Sequence, residues 1–77
     1  MNRGSFNKVL PIYLNGEVPF SLILLDIDTF IFYNDNYGHQ LGDKVIKRVA
    51  SQLENTFSTK DYVFRIGGDE FAIIVVE

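Results

Sequence analysis

The segment Arg65 to Ile74, RIGGDEFAII, places two glycines directly before two acids and then returns at once to an apolar run. Glycine weakens a strand interior and adjacent carboxylates repel each other, so the pattern favours a tight turn between two strands. Such a turn lets the backbone approach a ligand closely, because glycine lacks the Cβ that would block it. Asp69 and Glu70 at this turn predict a divalent-cation site, provided that a third oxygen ligand faces them.

A second pair of acids ends the apolar run FSLILLDI at Phe20–Ile27. Asp26 and Asp28 are two residues apart, so their side chains point to the same side of an extended strand. If the glycine turn lies beside this strand end, Asp26 and Asp69 meet at one or two Mg²⁺ ions. Magnesium prefers carboxylates together with substrate phosphates, and two-metal sites activate an attacking oxygen and neutralise leaving phosphates. These residues predict metal-assisted phosphoryl or nucleotidyl transfer.

Each of these features also has a structural interpretation. A glycine pair between strands is most often only a turn, and neighbouring acids at a turn are most often solvated. The acids that end the apolar run equally serve to cap a following helix. His39 is interpreted as a structural hydrogen-bonding residue rather than a catalytic base. Lys44, Lys47 and Arg48 are interpreted as a solvated helix face.

Composition limits the class of protein. The chain has 77 residues, of which 47% are hydrophobic and 14% aromatic, which indicates one small folded domain and not a disordered segment. The absence of cysteine excludes disulfides and thiolate zinc sites. A net charge of -3 argues against a nucleic-acid surface. No apolar run is long enough to cross a membrane, and we expect a cytoplasmic location.

Hydrophobic spacing predicts the elements that position the acids. Because Pro11 interrupts the helical spacing of apolar residues, a short or kinked helix is expected over about residues 4–14, followed by a turn at Asn15-Gly16. The run Phe20–Ile27 predicts a buried central strand, and a short helix is expected from Thr29 to Gly38.

The second half of the chain predicts a long helix and a β-hairpin. One apolar stripe marks the helix, formed by Leu41, Val45, Ile46, Val49, Ala50, Leu53 and Phe57. Strands at Tyr62–Ile66 and Phe71–Val76 flank the glycine pair. The order α, β, α, α, β, β predicts an α/β (α+β) fold with a mostly antiparallel sheet.

Four motifs together resemble the GGDEF domain of the diguanylate cyclase family. They are NRGSF, DIDTF, NDNYGHQLGD and RIGGDEF, in that order along the chain. The family pattern reads D-x-D-x-F-K, N-D-x-x-G-H, G-D and R-x-G-G-D-E-F. It is matched here by Asp26, Asp28, Phe30, Asn34, Asp35, Gly38, His39, Gly42, Asp43, Arg65, Gly67, Gly68, Asp69, Glu70 and Phe71. The resemblance implies a palm-like nucleotide-cyclase topology, with residues 1–77 forming the N-terminal part of a single domain.

The resemblance also implies an activity. The family condenses two GTP molecules into cyclic di-GMP across a homodimer, with each 3′-hydroxyl attacking the other α-phosphate. By resemblance, Asp26 and Asp69 hold two Mg²⁺ or Mn²⁺ ions with help from the Ile27 carbonyl. Glu70 completes the metal site and assists deprotonation of the 3′-hydroxyl.

The resemblance assigns the guanine-reading role to two further residues. Asn34 and Asp43 are expected to contact the base, since a carboxylate accepts from guanine N–H groups and an amide pairs with its acceptor edge. Gly67 and Gly68 are expected to let the nucleotide lie against the hairpin.

Three departures from the family pattern keep other functions open. Ile31 replaces the usual lysine that neutralises triphosphate, and Ser58 replaces the arginine of the product-feedback motif R-x-x-D, in which Asp61 is present. The chain also stops inside its last predicted strand, which predicts an exposed edge and association by domain swapping or edge pairing. An impaired module that binds nucleotide or a partner protein without turnover is the alternative. Another metal-dependent nucleotidyl transferase of the same topology is a third possibility.

Overall fold

The computed structural model describes the backbone of residues 1–27 and 39–77, and the side chains of 1–27 and 42–77. These described residues form two helices and three strands in the order α1 (Arg3–Asn15), β1 (Phe20–Asp26), α2 (His39–Thr56), β2 (Tyr62–Arg65) and β3 (Glu70–Val76). The helix predicted from Thr29 to Gly38 lies outside the described residues. Across 1–27 and 39–77, neither helix is long and apolar enough to cross a membrane.

The strands form one antiparallel sheet in the order β1-β3-β2, so the architecture is α+β, as predicted. In the register of β1 and β3, Phe20 faces Val76 and Asp26 faces Glu70. The predicted hairpin is present, and its strand boundaries are each within one residue of the expectation. This pairing brings the acidic end of β1 beside the start of β3.

The core lies around β3, which is buried on both faces. Phe64, Ala72 and Ile74 form one cluster against which the apolar side of α1 packs through Phe6 and other residues. Aromatic contacts link these parts, with ring centroids 5.3 Å apart for Phe6 and Phe64. On the other face Phe71 and Ile73 are also buried. The core therefore fixes the strand that leads out of the glycine turn.

The predicted stripe of the long helix is confirmed where its side chains are described. Ile46 is only 3% exposed, and the other stripe residues from Val45 to Phe57 are half-buried. Lys44, Lys47 and Arg48 are exposed, as expected for a solvated face. The side chain of Leu41 is not among those described.

Helix α1 confirms the helix predicted over about residues 4–14, with Pro11 inside it. The helix continues through this residue to Asn15, although proline removes one amide donor from the helical ladder. The first turn is capped by Asn2, whose side-chain oxygen accepts from the Ser5 N–H over 2.9 Å. At the other end, the Gly16 N–H donates to the Tyr13 carbonyl over 3.3 Å. Capping and the packed aromatic face outweigh the lost hydrogen bond.

The prediction that Phe20–Ile27 forms a buried central strand is wrong for the described sheet. β1 is an edge strand, and its residues from Ser21 to Asp26 are exposed. Leu24 is 67% exposed. The central position belongs to β3, whose sequence FAIIVV is equally apolar. A continuous apolar run indicates a strand that can be buried, but the pairing partners decide which of two such strands lies inside.

Candidate metal and nucleotide site

Three carboxylates converge where β1 ends and β3 begins. Asp26, Asp69 and Glu70 each present an oxygen, and these oxygens all lie within 4.8 Å of one another. We call this group the carboxylate cluster. Asp26 and Glu70 are exposed, whereas Asp69 is half-buried. The sequence had predicted that Asp26 and Asp69 would meet, and the structure brings them together.

Sheet pairing explains the convergence. Asp26 and Glu70 are direct cross-strand partners, so their side chains lie on the same face of the sheet. Asp69 precedes β3, and its carbonyl accepts from the Ile27 N–H over 2.9 Å. Because Asp69 is in the turn, the alternation of the strand does not force its side chain to the opposite face. The backbone therefore fixes all three acids.

The two glycines of the turn have different surroundings. A Cβ on Gly67 would lie 3.2 Å from the Glu70 Oε1, so the Glu70 side chain passes close over this residue. A Cβ on Gly68 would meet nothing within 4 Å. Neither residue has a φ in the left-handed region. Gly67 is thus explained by its contact with a cluster carboxylate, and Gly68 leaves its side of the turn open to an approaching ligand.

Arg65 orders the same turn, a role that its place in the motif did not reveal. Its Nε donates to the Gly67 carbonyl over 3.2 Å, and its terminal nitrogen donates to the Gly68 carbonyl over 2.8 Å. The Glu70 carbonyl accepts from the Ile66 N–H over 2.9 Å. We call residues 66–69 the hairpin tip. An arginine just before a glycine pair is the sequence signal for such a contact, because its guanidinium can reach the turn carbonyls.

The carboxylate of Asp61 is held by hydrogen bonds within the fold. It accepts from the backbone N–H of Val76 over 2.8 Å, and from the N–H and hydroxyl of Ser58, each over 3.0 Å. The hydrogen bond from Val76 is the largest of the effects that lower the pKa of Asp61 below its ordinary value. Burial opposes it, and the two hydrogen bonds from Ser58 and the charge of Lys60 lower the pKa further. Here Asp61 and Ser58, the two ends of the feedback motif, bond to each other.

A cavity of about 240 Å³ lies beside Asp61 and not at the carboxylate cluster. Its lining includes Glu54, Phe57 and Val63, and none of the three cluster residues. The candidate metal site is therefore on the open surface where Asp26, Asp69 and Glu70 converge, and not in this cavity.

The structure does not bring every predicted site residue to the cluster. Asp43 is exposed on α2 and is not part of the carboxylate cluster. Asn34 and Asp28 lie outside the described residues, as does Ile31, and the side chain of His39 is not described either. Their predicted roles remain predictions.

The donor set fits a hard divalent cation. All three side chains offer carboxylate oxygens, the ligands that Mg²⁺ and Mn²⁺ favour. Their like charges repel at this separation, so a bound cation would relieve the repulsion. Their exposure leaves room for substrate oxygens to complete the coordination.

The chain matches one protein family along its length. The family described as "Diguanylate cyclase, GGDEF domain" matches residues 1–77. The diguanylate cyclase VdcA of Vibrio cholerae is 40% identical over 73 residues, which are 95% of this chain and 22% of VdcA. The diguanylate cyclase DgcS of Shewanella oneidensis is 47% identical over 55 residues, which are 71% of this chain and 19% of DgcS.

A solved structure agrees with this match. The GGDEF domain of DgcB from Caulobacter crescentus, solved in complex with c-di-GMP, superposes with a TM-score of 0.86 at 38% identity. The match covers 97% of this chain and 46% of that one. The chain thus spans less than a quarter of the two curated relatives and less than half of the solved domain. The family match over residues 1–77 and the shared fold show that the chain belongs to the GGDEF family.

Proposed function

We propose that this chain carries the metal-binding part of a diguanylate cyclase, which condenses two GTP molecules into cyclic di-GMP. The observation that carries the proposal is the carboxylate cluster of Asp26, Asp69 and Glu70, whose oxygens lie within 4.8 Å of one another. Family membership supports the substrate, because the curated relatives are named diguanylate cyclases. The activity, the GTP substrate and the homodimer are proposals for this chain.

In this proposal, Asp26 and Asp69 hold one or two Mg²⁺ or Mn²⁺ ions, and the Ile27 carbonyl is a further ligand. The bound cation would neutralise charge on the phosphates and favour the attacking oxygen. The carbonyl of Asp69 is tied to the Ile27 N–H, so the two ligand-bearing segments keep a fixed separation. The backbone pairing therefore places the ligand-bearing residues side by side before any ion binds.

Glu70 has the role of general base in this proposal. It would accept the proton of the 3′-hydroxyl as that oxygen forms its bond to the α-phosphorus of the second GTP, while the bond to pyrophosphate breaks. Its side chain passes over Gly67 and reaches the cluster from the neighbouring strand, opposite Asp26. Asn34 and Asp43 would read the guanine, and Gly68 leaves an open surface for the nucleotide.

The test is formation of cyclic di-GMP from GTP with Mg²⁺ by a natural-length protein that contains this segment. Glu70→Gln keeps the size of the side chain and removes the negative charge, so we expect product formation to fall by about 10²-fold or more. Glu54→Gln is the matched control, since Glu54 is exposed on α2 and outside the cluster. Equal turnover by Glu70→Gln and the unsubstituted protein would contradict the assignment.

A second candidate is an impaired module that binds nucleotide without turnover. Ile31 favours it, because an apolar side chain cannot offset triphosphate charge where the family has a lysine. A protein that binds GTP but forms no cyclic di-GMP would have this second function. Product formation by the Ile31→Lys variant would show that the missing lysine is the cause.

A further inference from the structure

The start of the chain is joined to the strand that leads into the hairpin tip. Asn2 forms a parallel bridge with Arg65, and the Arg65 N–H donates to the Met1 carbonyl over 2.8 Å. At the first residue of α1, the Arg3 Nε donates to the Ile66 carbonyl over 2.9 Å. Residues distant in sequence are thus fixed directly before the two glycines.

Arginine side chains hold three consecutive carbonyls of the hairpin tip. Arg3 bonds the carbonyl of Ile66, and Arg65 bonds those of Gly67 and Gly68. The glycines supply no side chain for packing, and a Cβ on Gly68 would meet nothing within 4 Å. Ile66 also packs against the core, whereas the backbone at the two glycines is held by hydrogen bonds without side-chain packing of its own.

Ile66 connects the arginine to the carboxylate cluster. Its carbonyl accepts from Arg3, and its N–H donates to the carbonyl of Glu70 over 2.9 Å. Glu70 carries one cluster carboxylate, and Asp69 beside it carries another. A displacement of Ile66 would consequently move both acids relative to Asp26.

We propose that Arg3 is a positioning residue of the carboxylate cluster. Its Nε–H hydrogen bond to the Ile66 carbonyl holds the hairpin tip in the geometry that brings Asp69 and Glu70 to Asp26. The proposal rests on the proposed function, since the geometry that Arg3 holds is that of the metal site. In this role, the arginine of the NRGSF motif does not bind the metal ion itself but holds the residues that do.

Two substitutions separate the hydrogen bond from the charge. Glutamine places its amide nitrogen as many bonds from the Cα as the arginine Nε, so Arg3→Gln keeps a donor and loses the charge. Arg3→Met has a side chain of similar length with no donor. Lys8→Met is the matched control, because Lys8 is an exposed cation on the same helix.

The experiment follows the amide signals of Gly67 and Gly68 by NMR and measures Mn²⁺ affinity by electron paramagnetic resonance. We expect Arg3→Met to shift both amide signals and to weaken Mn²⁺ binding about tenfold. Arg3→Gln should remain close to the unsubstituted chain in both measurements, as should Lys8→Met. Signals of α2 and β3 residues show whether each variant remains folded.

Two results would overturn the role of Arg3. One is unchanged amide signals in a folded Arg3→Met chain. The other is an effect of Arg3→Gln as large as that of Arg3→Met, which would assign the effect to charge. If a natural-length protein that contains this segment binds no Mn²⁺ when unsubstituted, the proposed function fails. The amide signals need no ion, so they still decide the role of Arg3.

Discussion

At the scale of single residues, the glycines and acids of RIGGDEF have separate explanations. Gly67 is covered by the Glu70 side chain, whereas Gly68 faces open space. Neither glycine is required by a left-handed φ. Gly67 is therefore explained by the close approach of the Glu70 side chain. In our proposal, Gly68 allows the close approach of a nucleotide.

A pair of alanine substitutions tests this distinction. Gly68→Ala should change the free energy of unfolding, measured in urea, by no more than about 0.5 kcal/mol, because its Cβ meets nothing within 4 Å. We expect it to weaken GTP binding, since in our proposal the nucleotide approaches the chain at this residue. Gly67→Ala should displace Glu70 and weaken Mn²⁺ binding. Gly68→Ala with full GTP affinity would show that the nucleotide does not lie against this residue.

The hydrogen bonds of Asp61 predict how the stability of the fold depends on pH. Because its pKa in the folded chain lies below the ordinary value of 3.8, ionised Asp61 stabilises the fold above that value. The stabilisation is lost as the pH falls through the folded pKa. Asp61→Asn should lower the urea midpoint at neutral pH, and the difference from the unsubstituted chain should shrink in acid.

The measurement for Asp61 is a series of urea unfolding curves from pH 7 downward. Glu17→Gln is the control, since Glu17 is an exposed acid in the connection between α1 and β1. If the urea midpoints of Asp61→Asn and the unsubstituted chain differ by the same amount at every pH, the charge of Asp61 does not stabilise the fold.

At the scale of elements, β1 and β3 have similar apolar sequences and different positions. Ile74 on β3 is fully buried, whereas Leu24 on β1 is 67% exposed. The hydrogen bonds of β3 to both neighbours explain this, since a central strand is covered along both edges and here on both faces. Sequence alone could not rank the two strands, because both runs are continuously apolar.

Alanine substitutions on the two strands test their positions. Ile74→Ala should cost about 2–5 kcal/mol, because it leaves a cavity in the core. Leu24→Ala should cost about 0.5 kcal/mol or less at low protein concentration. Urea midpoints measured on both variants provide the comparison. Equal costs would show that β1 is buried in solution, as the predicted edge association would require.

At the scale of the whole molecule, the sequence predicted most of what depends on local patterns. The α+β class, the hairpin and the stripe of α2 follow from periodicity and turn residues, and the linked motifs identified the family. The meeting of Asp26 with Asp69 was predicted from strand geometry. These features depend on spacing along the chain, which the sequence displays directly.

The features that sequence reasoning missed depend on contacts between distant residues. The Arg3 contact with Ile66 spans 63 positions, and nothing in either segment specifies it. The edge position of β1 in the described sheet depends on its pairing with β3. In both cases the deciding contact joins residues that are distant in the sequence, so the local pattern does not specify it.

The most direct test of the account is a calorimetric titration with GTP and with ATP, each with Mg²⁺, on the unsubstituted chain and on Asp69→Ala. We expect binding of GTP but not of ATP, and loss of that binding when the carboxylate of Asp69 is removed from the cluster. Equal binding of both nucleotides, or GTP binding that persists without the Asp69 carboxylate, would contradict it.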